Sequence, residues 1–410
     1  TTINDWNTAA VTGRITATNP CVTGETPVAT REGWREIRDL VGTMPMIATP
    51  AGWQQAVRVW QTGIKPVYQL TTRSGYTLRL TAEHRVAVSG RGDVPLHALE
   101  RGDVIQLQGA GFGLERIPAD EAFAIGYGVG DGCIFTAART GASVFTATGG
   151  EDDRVSLEAI TAYINTAYRE PDRLGRSIPP VHVTSATMGL KVASSRPHLA
   201  SRLAAFATLD RGSEGKRFRP RVFGLDEPSQ AALLRGLFTA DGTISGNAAK
   251  GYYVGLDSTA YDLLRQVQLL LLNFGIKAKL YTNRKKTNEG ILPDSARNPR
   301  VYPVQALHSL RITRSSRLRF ERAIGFAPES AKAVKLSAVN RSVGAYRDEL
   351  TDEVRDIQPD GIEPVYDLTE PVSSHFVAGG VVVHNCAEYI HLNNSACNLA
   401  SINLLKFLRE

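Results

Sequence analysis

Three residues stand where their side chains could attack the protein's own backbone. Cys21 follows Pro20, and Asn385 directly precedes Cys386. Peptide bonds are stabilised by resonance, so a chain that cuts itself needs a nucleophile beside each scissile bond. The Cys21 thiol can attack the Pro20 carbonyl to form a thioester, and the Cys386 thiol can then take over the acyl group. Asn385 can cyclise onto its own carbonyl and release Cys386, after which the thioester shifts to an amide.

Two acidic residues, Asp131 and Asp241, suggest a second kind of chemistry. They close the segments AIGYGVGDG (124–132) and LRGLFTADG (234–242), in which small residues recur one helical turn apart. That spacing lets two helices cross closely and brings the two aspartates at their ends near one another. Adjacent carboxylates repel unless a cation lies with them, and hard oxygen ligands favour Mg²⁺. A Mg²⁺ site at Asp131 and Asp241 could activate water for phosphodiester cleavage.

Short β-strands are expected to position the nucleophiles. Residues 22–109 alternate apolar and polar side chains between turns, and the same pattern returns in 350–385. The region between them has helical spacing, as in VSLEAITAYINTAY (155–168), with shorter strands among the helices. We therefore predict an all-β domain that is interrupted by an α+β domain and resumes after it. The predicted segments are 1–20, 21–117, 118–345, 346–385 and 386–410.

The middle domain also repeats loosely within itself. Each half offers a helix that ends in Asp-Gly, then strands, then further helices, and the two Asp-Gly pairs are about 110 residues apart. This repetition predicts a pseudo-twofold built within one chain, and we expect a monomer.

The positive charge of the chain is concentrated in the middle domain. The chain carries 47 Lys and Arg residues against 41 acidic residues, of which 31 and 20 respectively lie within 118–345. A cationic domain inserted into an acidic one favours a polyanionic partner, most simply double-stranded DNA. A solvated basic surface is the alternative interpretation.

Composition argues against several other classes. No apolar run approaches the roughly 20 residues that span a bilayer, and the N-terminal TTINDWNTAA lacks the pattern of a signal peptide. Four scattered cysteines form neither a disulfide framework nor a C-x-x-C zinc site, so we expect a reducing cytoplasm and no membrane partner. Of these cysteines, we expect Cys133 to be a buried small residue.

The β-rich part of the chain resembles the inteins, whose Hint domains have a horseshoe-like all-β fold and splice themselves out of a precursor. The opening CVTGETPV (21–28) matches one motif of that family, and LRLTAEHRVAV (78–88) matches a second with Thr81 and His84. The resemblance covers residues 21–385. It implies that His84, assisted by Thr81, polarises or protonates the amide that precedes the first cysteine.

The closing segment VYDLTEPVSSHFVAGGVVVHN (365–385) carries Asp367, His375 and His384 in the order that inteins show. The resemblance implies that Asp367 tunes the nucleophilic cysteines. It also implies that His375 and His384 transfer protons during the cyclisation of Asn385. The substrate would be the flanking segments of the chain itself, the exteins, and splicing would need no cofactor.

The segments that end in Asp131 and Asp241 resemble the paired LAGLIDADG motifs of homing endonucleases. The resemblance implies a site-specific endonuclease that cleaves double-stranded DNA at the intein-less host gene with Mg²⁺. Lys332 would stabilise charge in the active site, while Lys216 or Arg217 stands where a lysine is more usual in the first half.

Residues 1–20 and 386–410, read together, resemble the junction of a ribonucleotide reductase of the adenosylcobalamin-dependent class. The resemblance places Asn19, Cys386 and Glu388 in an Asn-x-Cys-x-Glu active-site element. That element forms only when the intervening residues leave. The thiol that starts nucleotide reduction in the host would therefore also be the second splicing nucleophile.

Two other interpretations remain open. A Hint-type autoprocessing domain would cleave without ligating, although such a domain would not need the downstream Cys386. Alternatively, the chain splices but its middle domain only binds DNA. The products distinguish these cases, because only splicing gives a ligated peptide and only a nuclease gives cut DNA.

Overall fold

The computed structural model describes residues 21–385 except for 110, 170–177, 188, 248, 250, 284–288, 294–298, 304–305 and 342–349, with 289–293 and 299–303 by their backbone alone. The period-two pattern of the first part forms ten strands, whose alternate side chains enter a buried core. In chain order they are β1 (Val22–Thr23), β2 (Pro27–Thr30), β3 (Gly33–Glu36), β4 (Met46–Thr49), β5 (Gly52–Gln55), β6 (Arg58–Thr72), β7 (Thr77–Leu80), β8 (Arg85–Val88), β9 (Gly92–Pro95) and β10 (Val104–Gln106).

The middle of the chain folds into helices and small antiparallel sheets. The helices are α1 (Ala119–Asp131), α2 (Arg154–Ala167), α3 (Leu199–Ala204), α4 (Glu227–Asp241), α5 (Tyr261–Asn273), α6 (Arg314–Ala323) and α7 (Ala331–Asn340). The strands are β11 (Gly132–Thr136), β12 (Ser143–Gly149), β13 (Thr184–Ala186), β14 (Gly189–Ser194), β15 (Ala207–Thr208), β16 (Arg217–Phe218), β17 (Gly242–Asn247), β18 (Gly251–Ser258), β19 (Ala278–Tyr281), β20 (Glu289–Pro293), β21 (Pro299–Pro303) and β22 (His308–Thr313).

The two halves of this inserted domain repeat one design. A helix ending in aspartate runs into a hairpin in each half, α1 into β11 and β12, and α4 into β17 and β18. Each hairpin belongs to a four-stranded sheet, in the orders β11-β12-β14-β13 and β17-β18-β22-β19. No helix in the part of the chain that the structure describes is long and apolar enough to cross a bilayer.

The chain returns to the first sheet after the insertion through β23 (Thr351–Thr369), β24 (His375–Ala378) and β25 (Val381–His384). The long strand β23 pairs with β6 over most of its length and also with β1 and β10. One sheet of thirteen strands therefore unites the segments on both sides of the insertion. The predicted fold class, an all-β domain interrupted by an α+β domain, is confirmed.

Two glycines explain how α1 and α4 cross so closely. A Cβ on Gly126 would lie 1.8 Å from the Leu233 carbonyl oxygen, and a Cβ on Gly236 would lie 2.2 Å from the Phe123 carbonyl oxygen. No other residue fits at these positions without moving the backbones apart. This crossing brings the C-terminal ends of the two helices, which carry the aspartates, to the same place.

The inserted domain also packs firmly on the β-rich domain. Leu272 of α5 is buried in the core of the β-rich domain rather than in that of its own. The Trp34 indole N–H donates to Asn273 Oδ1 at 3.1 Å, and the Gln268 amide donates to the Ser74 carbonyl at 2.9 Å. The two domains therefore share a buried interface with satisfied polar groups.

We expect Gly236→Val to destabilise the inserted domain by about 1–3 kcal/mol or more, because the added side chain overlaps the backbone of α1. The measurement is urea unfolding followed by tryptophan fluorescence and circular dichroism. Gly150→Ala is the matched control, since a Cβ there meets no atom nearer than 3.8 Å. Equal unfolding midpoints for the two variants would contradict the close helix crossing.

Candidate active sites

Cys21 is held at the start of the β-rich domain by its backbone. The residue is fully buried, and its N–H donates to Thr81 Oγ1 at 3.0 Å. Its carbonyl oxygen accepts from the Thr81 N–H at 2.9 Å. Thr81 is in place because it directly follows β7, which pairs with β1 through Leu80 and Val22. These two contacts fix the amide nitrogen that the predicted acyl shift would release.

The Cys21 sulfur lies between two polar side chains of β6. Its Sγ is 2.8 Å from Thr62 Oγ1 and 3.3 Å from Lys65 Nζ. The Thr62 hydroxyl donates its proton to the Val365 carbonyl, so the thiol donates to Thr62. Burial raises the pKa of the Cys21 thiol to about 11, the Lys65 ammonium lowers it, and the Asp367 carboxylate raises it. The resting group is therefore a neutral thiol.

Asp367 lies in β23 next to this thiol, as the resemblance to inteins implies for a residue that tunes it. The carboxylate is fully buried, and its Oδ1 accepts from the Leu368 N–H at 2.8 Å. Its charge is felt at the Cys21 sulfur, where it opposes loss of the thiol proton. Asp367 and Lys65 thus act on the thiol in opposite directions.

His84 is a buried imidazole whose ring lies at the backbone of Cys21, which opposes the lowering of its pKa. Both ring nitrogens lack a partner among the residues that the structure describes. Burial lowers the pKa of His84 to about 3, and the nearby His384 lowers it further. The ring is therefore neutral at physiological pH. An unsatisfied buried polar group is costly, so such a ring marks a place where a partner is expected during function.

The other end of the β-rich domain holds Asn385 in a fixed position. The residue is fully buried, its Nδ2 donates to the Glu370 carbonyl at 2.7 Å, and its N–H donates to the Ser374 carbonyl at 2.9 Å. Its Oδ1 has no hydrogen-bond partner within the described ranges. Glu370 is itself a fixed point, because its carboxylate caps the turn at Val372 and Ser373.

Two histidines face each other on the hairpin that leads to Asn385. His375 and His384 are paired across β24 and β25, and their ring centroids are 5.2 Å apart. His375 Nδ1 is 2.6 Å from the Ser373 carbonyl, and its Nε2 is 2.9 Å from Asp93 Oδ1. Both partners are acceptors, so both contacts are hydrogen bonds only when the ring carries two protons. Burial lowers the pKa of His384, which the Asp93 carboxylate opposes.

Three residues predicted from the sequence to act, Asn19, Cys386 and Glu388, lie outside the described residues, as does Pro20, whose carbonyl the first nucleophile would attack. The structure brings Cys21, Thr81, His84 and Asp367 together and places His375, His384 and Asn385 on a neighbouring hairpin. Sequence reasoning missed Thr62, Lys65, Asp93 and Glu370, because their roles depend on pairing between strands far apart in sequence.

The second site lies where α1 and α4 end. A Cβ on Gly130 would lie 3.4 Å from the Asp241 Oδ2, so the two helix ends nearly touch. Burial and the neighbouring Asp131 raise the pKa of Asp241 to about 6, although Lys216 and Lys332 oppose the shift. Burial also raises the pKa of Asp131. Two carboxylates in one half-buried place are thus only partly compensated by the charges around them.

Two lysines reach this acidic pair from opposite halves. Lys332 Nζ donates to the Thr239 carbonyl at 2.6 Å and to the Ala240 carbonyl at 2.9 Å. Lys216 Nζ donates to the Gly130 carbonyl, whereas Arg217 is exposed on β16. Of the two residues left open by the sequence, Lys216 is therefore the one at the site.

At this site, the sequence analysis missed one residue and made one prediction that is wrong. Asp153 is a third carboxylate whose charge acts on Asp131 and Lys332, and it precedes α2 far from either motif. The prediction that Cys133 is buried is wrong: it is exposed, with its Sγ 3.1 Å from Thr146 Oγ1. The reason is alternation along β11, since Ile134 takes the core-facing position.

A comparison with known protein families matches one part of the chain. Residues 228–325 match the family model described as a LAGLIDADG-like domain. Ribonucleoside-diphosphate reductase NrdEB subunit alpha of Bacillus subtilis (strain 168) is 25% identical over 441 residues, which cover 96% of this chain and 40% of that protein. Vitamin B12-dependent ribonucleotide reductase of Streptomyces avermitilis is 64% identical over 25 residues, or 6% of this chain and 3% of that protein. The chain spans less than half of either relative.

Two solved structures are similar to different parts of the fold. The G-1F mutant of the Ssp DnaB mini-intein variant M86 aligns with 90% of this chain and 99% of its own, at a TM-score of 0.31 and 12% identity. I-DmoI in complex with DNA and Ca aligns with 54% of this chain and 97% of its own, at a TM-score of 0.35 and 15% identity.

The fold and the two sites define a class of protein in which an all-β domain is interrupted by an α+β domain. Within that class, residues 228–325 match the LAGLIDADG-like domain. The expected resemblance to ribonucleotide reductases is borne out by the similarity to two relatives with reductase names.

We expect the free energy of unfolding to fall as the pH is lowered, because the unfolded chain protonates His84 more readily than the folded chain does. The folded chain keeps the ring neutral down to a pKa of about 3, whereas the unfolded chain protonates it near 6.5. The stability from this neutral ring is present above the higher value and is lost as the pH falls toward the lower one, at up to about 1.4 kcal/mol per pH unit. Urea unfolding at several pH values between these limits should give a shallower pH dependence for His84→Leu than for the unchanged protein. Equal slopes would contradict a neutral buried ring.

Proposed function

We propose that the chain is a splicing precursor in which residues 21–385 excise themselves and join residues 1–20 to 386–410. One observation carries this proposal. One of the strands that pair with β1 at the Cys21 end is β7, and one of those that pair with β25 at the Asn385 end is β8. The short loop between β7 and β8 carries Thr81 and His84, so it links the two reacting ends of the domain.

The first step would be attack of the Cys21 sulfur on the preceding carbonyl carbon. The C–S bond forms, the C–N bond to Cys21 breaks, and the released nitrogen takes up a proton. Thr81 Oγ1 holds that nitrogen in place by accepting a hydrogen bond from the Cys21 N–H. The neutral His84 ring lies at the Cys21 backbone and can relay a proton to the nitrogen as it leaves: one ring nitrogen gives its proton to the leaving nitrogen while the other takes up the proton that the thiol has lost.

The last step at the other junction would be cyclisation of Asn385. Its Nδ2 must attack its own carbonyl carbon, and the Glu370 carbonyl already holds that nitrogen. His375, hydrogen-bonded on both sides to acceptors, can supply a proton, and His384 lies next to it. Cys386 would meanwhile have taken the acyl group from Cys21. A cytoplasmic, reducing location would keep both thiols free and is part of this proposal.

We expect Asn385→Ala to block cleavage at the downstream junction while the upstream thioester still forms. Cys386→Ala should abolish ligation but permit cleavage on either side, because the acyl acceptor is lost. Mass spectrometry of purified products checks both, and the unchanged protein should yield a ligated peptide containing NPCAEY. If only separate fragments appear, the domain cleaves without ligating and the splicing proposal is wrong.

We further propose that the inserted domain is a site-specific DNA endonuclease that acts as a monomer at the intein-less host gene. Asp131 and Asp241 would hold Mg²⁺, and the residues fit the ion because burial and the like charge of Asp131 raise the pKa of Asp241, a cost that a bound cation would offset. When bound, Mg²⁺ would supply an activated water and stabilise the leaving oxygen. Among the described residues, no three His, Cys, Asp or Glu side chains group as a metal site, so the two aspartates would be the acidic ligands of the ion.

One sheet of the inserted domain carries cationic side chains packed on tyrosine rings, and we propose that these contact the DNA backbone. The Arg311 guanidinium lies 4.2 Å from the centre of the Tyr253 ring and 4.8 Å from that of Tyr281. Lys279 Nζ lies 5.1 Å from the centre of the Tyr281 ring. Cationic groups on aromatic rings suit phosphates and bases. The basic run 284–286, a second candidate for phosphate contact, lies outside the described residues.

We expect Asp241→Asn to abolish DNA cleavage while leaving DNA affinity and splicing nearly unchanged. The amide keeps the shape of the side chain but removes the charge that holds the cation. Cleavage of the uninterrupted host gene with Mg²⁺ measures the nuclease activity, and a gel-shift assay measures DNA affinity. Asp257→Asn, on β18, is the control for loss of one carboxylate. Binding without cutting by the unchanged protein would instead favour a domain that only binds DNA.

A further inference from the structure

The splicing domain contains a single lysine, and that lysine touches the nucleophile. Residues 21–109 and 350–385 carry their other positive charges on arginines, and Lys65 is the only lysine among them. Its Nζ lies 3.3 Å from the Cys21 sulfur. Lysine is a compact charge that can approach one atom closely, whereas arginine prefers planar, two-pronged partners. The choice of residue therefore suits stabilisation of a single sulfur atom.

A β-bulge is what turns Lys65 and Thr62 toward the same sulfur. Side chains three positions apart on a regular strand point to opposite faces of the sheet. Here Val365 faces Gly63 and Tyr366 faces Gln61, so Thr62 is an extra residue on β6. The bulge shifts the alternation by one position, and Thr62 then faces the same side as Lys65. Bulges of this kind often re-aim a side chain toward an active site.

The strand partner of Lys65 is already engaged elsewhere. Glu363 lies directly opposite Lys65 in the pairing of β6 with β23. Its carboxylate forms an ion pair with Arg79, which also binds Glu25 and Asp360. Arg79 therefore holds these three acidic side chains in ion pairs away from the thiol. The Lys65 ammonium is therefore directed toward the sulfur rather than toward its cross-strand carboxylate.

We propose that Lys65 is a catalytic residue of the first acyl shift, in which its ammonium group stabilises the Cys21 thiolate in the bulge pocket. This inference rests on the proposed splicing function and adds to it a group that acts on the attacking atom. Thr62 positions the sulfur and donates its hydroxyl proton to the thiolate when the thiol proton has left.

The proton balance of the step closes without an outside reagent. The thiol loses its proton, the sulfur forms a bond with the preceding carbonyl carbon, and the bond from that carbon to the Cys21 nitrogen breaks. The nitrogen gains the proton that the sulfur gave up. Burial makes the thiolate difficult to form, since it raises the pKa of Cys21 to about 11 even with Lys65 present. Loss of Lys65 removes the contribution that opposes burial.

The test uses the full chain with Asn385→Ala, so that the downstream peptide bond stays intact. Dithiothreitol releases residues 1–20 from the thioester, and the rate of release is measured across a range of pH. The variants are Lys65→Met, which removes the charge, and Lys65→Arg, which keeps it. Arg101→Met, in an exposed turn of the same domain, is the control for loss of one positive charge. Unfolding by urea verifies that each variant is folded.

We expect Lys65→Met to slow release about tenfold or more at neutral pH and to move the midpoint of the pH profile upward, because each unit of thiol pKa changes the thiolate fraction tenfold. Lys65→Arg should recover most of the rate, and Arg101→Met should match the parent. If the parent itself releases nothing, the splicing proposal is wrong. If the parent reacts and Lys65→Met reacts equally with the same pH profile, the role of Lys65 is wrong while splicing stands.

Discussion

The pairing of β23 with β1, β6 and β10 is the contact on which the rest of the structure depends. It sets Val22 opposite Tyr366 and Ile105 opposite Asp352, and so joins the segments before and after the insertion. The same strand supplies Asp367 and Val365, which form part of the wall around the first nucleophile. Without this pairing the nucleophile would be left on an open sheet edge.

Two groups of the β-rich site, the thiol of Cys21 and the ring of His84, are uncharged in the resting protein. Burial keeps Cys21 a thiol and His84 an uncharged ring. A dry pocket strengthens every local charge, so a single ammonium or carboxylate has more effect there than at the surface. Lys65 and Asp367 act on the pKa of the same thiol with opposite sign, so under the proposed function its reactivity would depend on the balance between them. The LAGLIDADG-like site differs in its charges, because there two carboxylates lie close together.

The fold could be predicted from the sequence where local pattern decides the structure. Period-two alternation identified the strands, and small residues one turn apart identified the crossing of α1 and α4. The pocket around the sulfur could not be found this way, since a bulge opposite Val365 changes which face Thr62 takes. The same limit explains Cys133, whose exposure follows from which neighbour on its strand faces the core. Roles that depend on distant pairing, such as that of Asp93 for His375, leave no local pattern.

The position of the insertion has a consequence for synthesis on the ribosome. Strand β10 ends at Gln106 and its partner β23 begins at Thr351, so the ribosome must make all of 107–350 before the sheet can close. At about 5–20 residues per second this takes roughly 12–50 seconds. During that delay the emerging half-sheet has no β23 to complete the wall around its thiol. If the chain splices as proposed, the pocket around the upstream thiol would be complete only when the downstream junction is nearly translated.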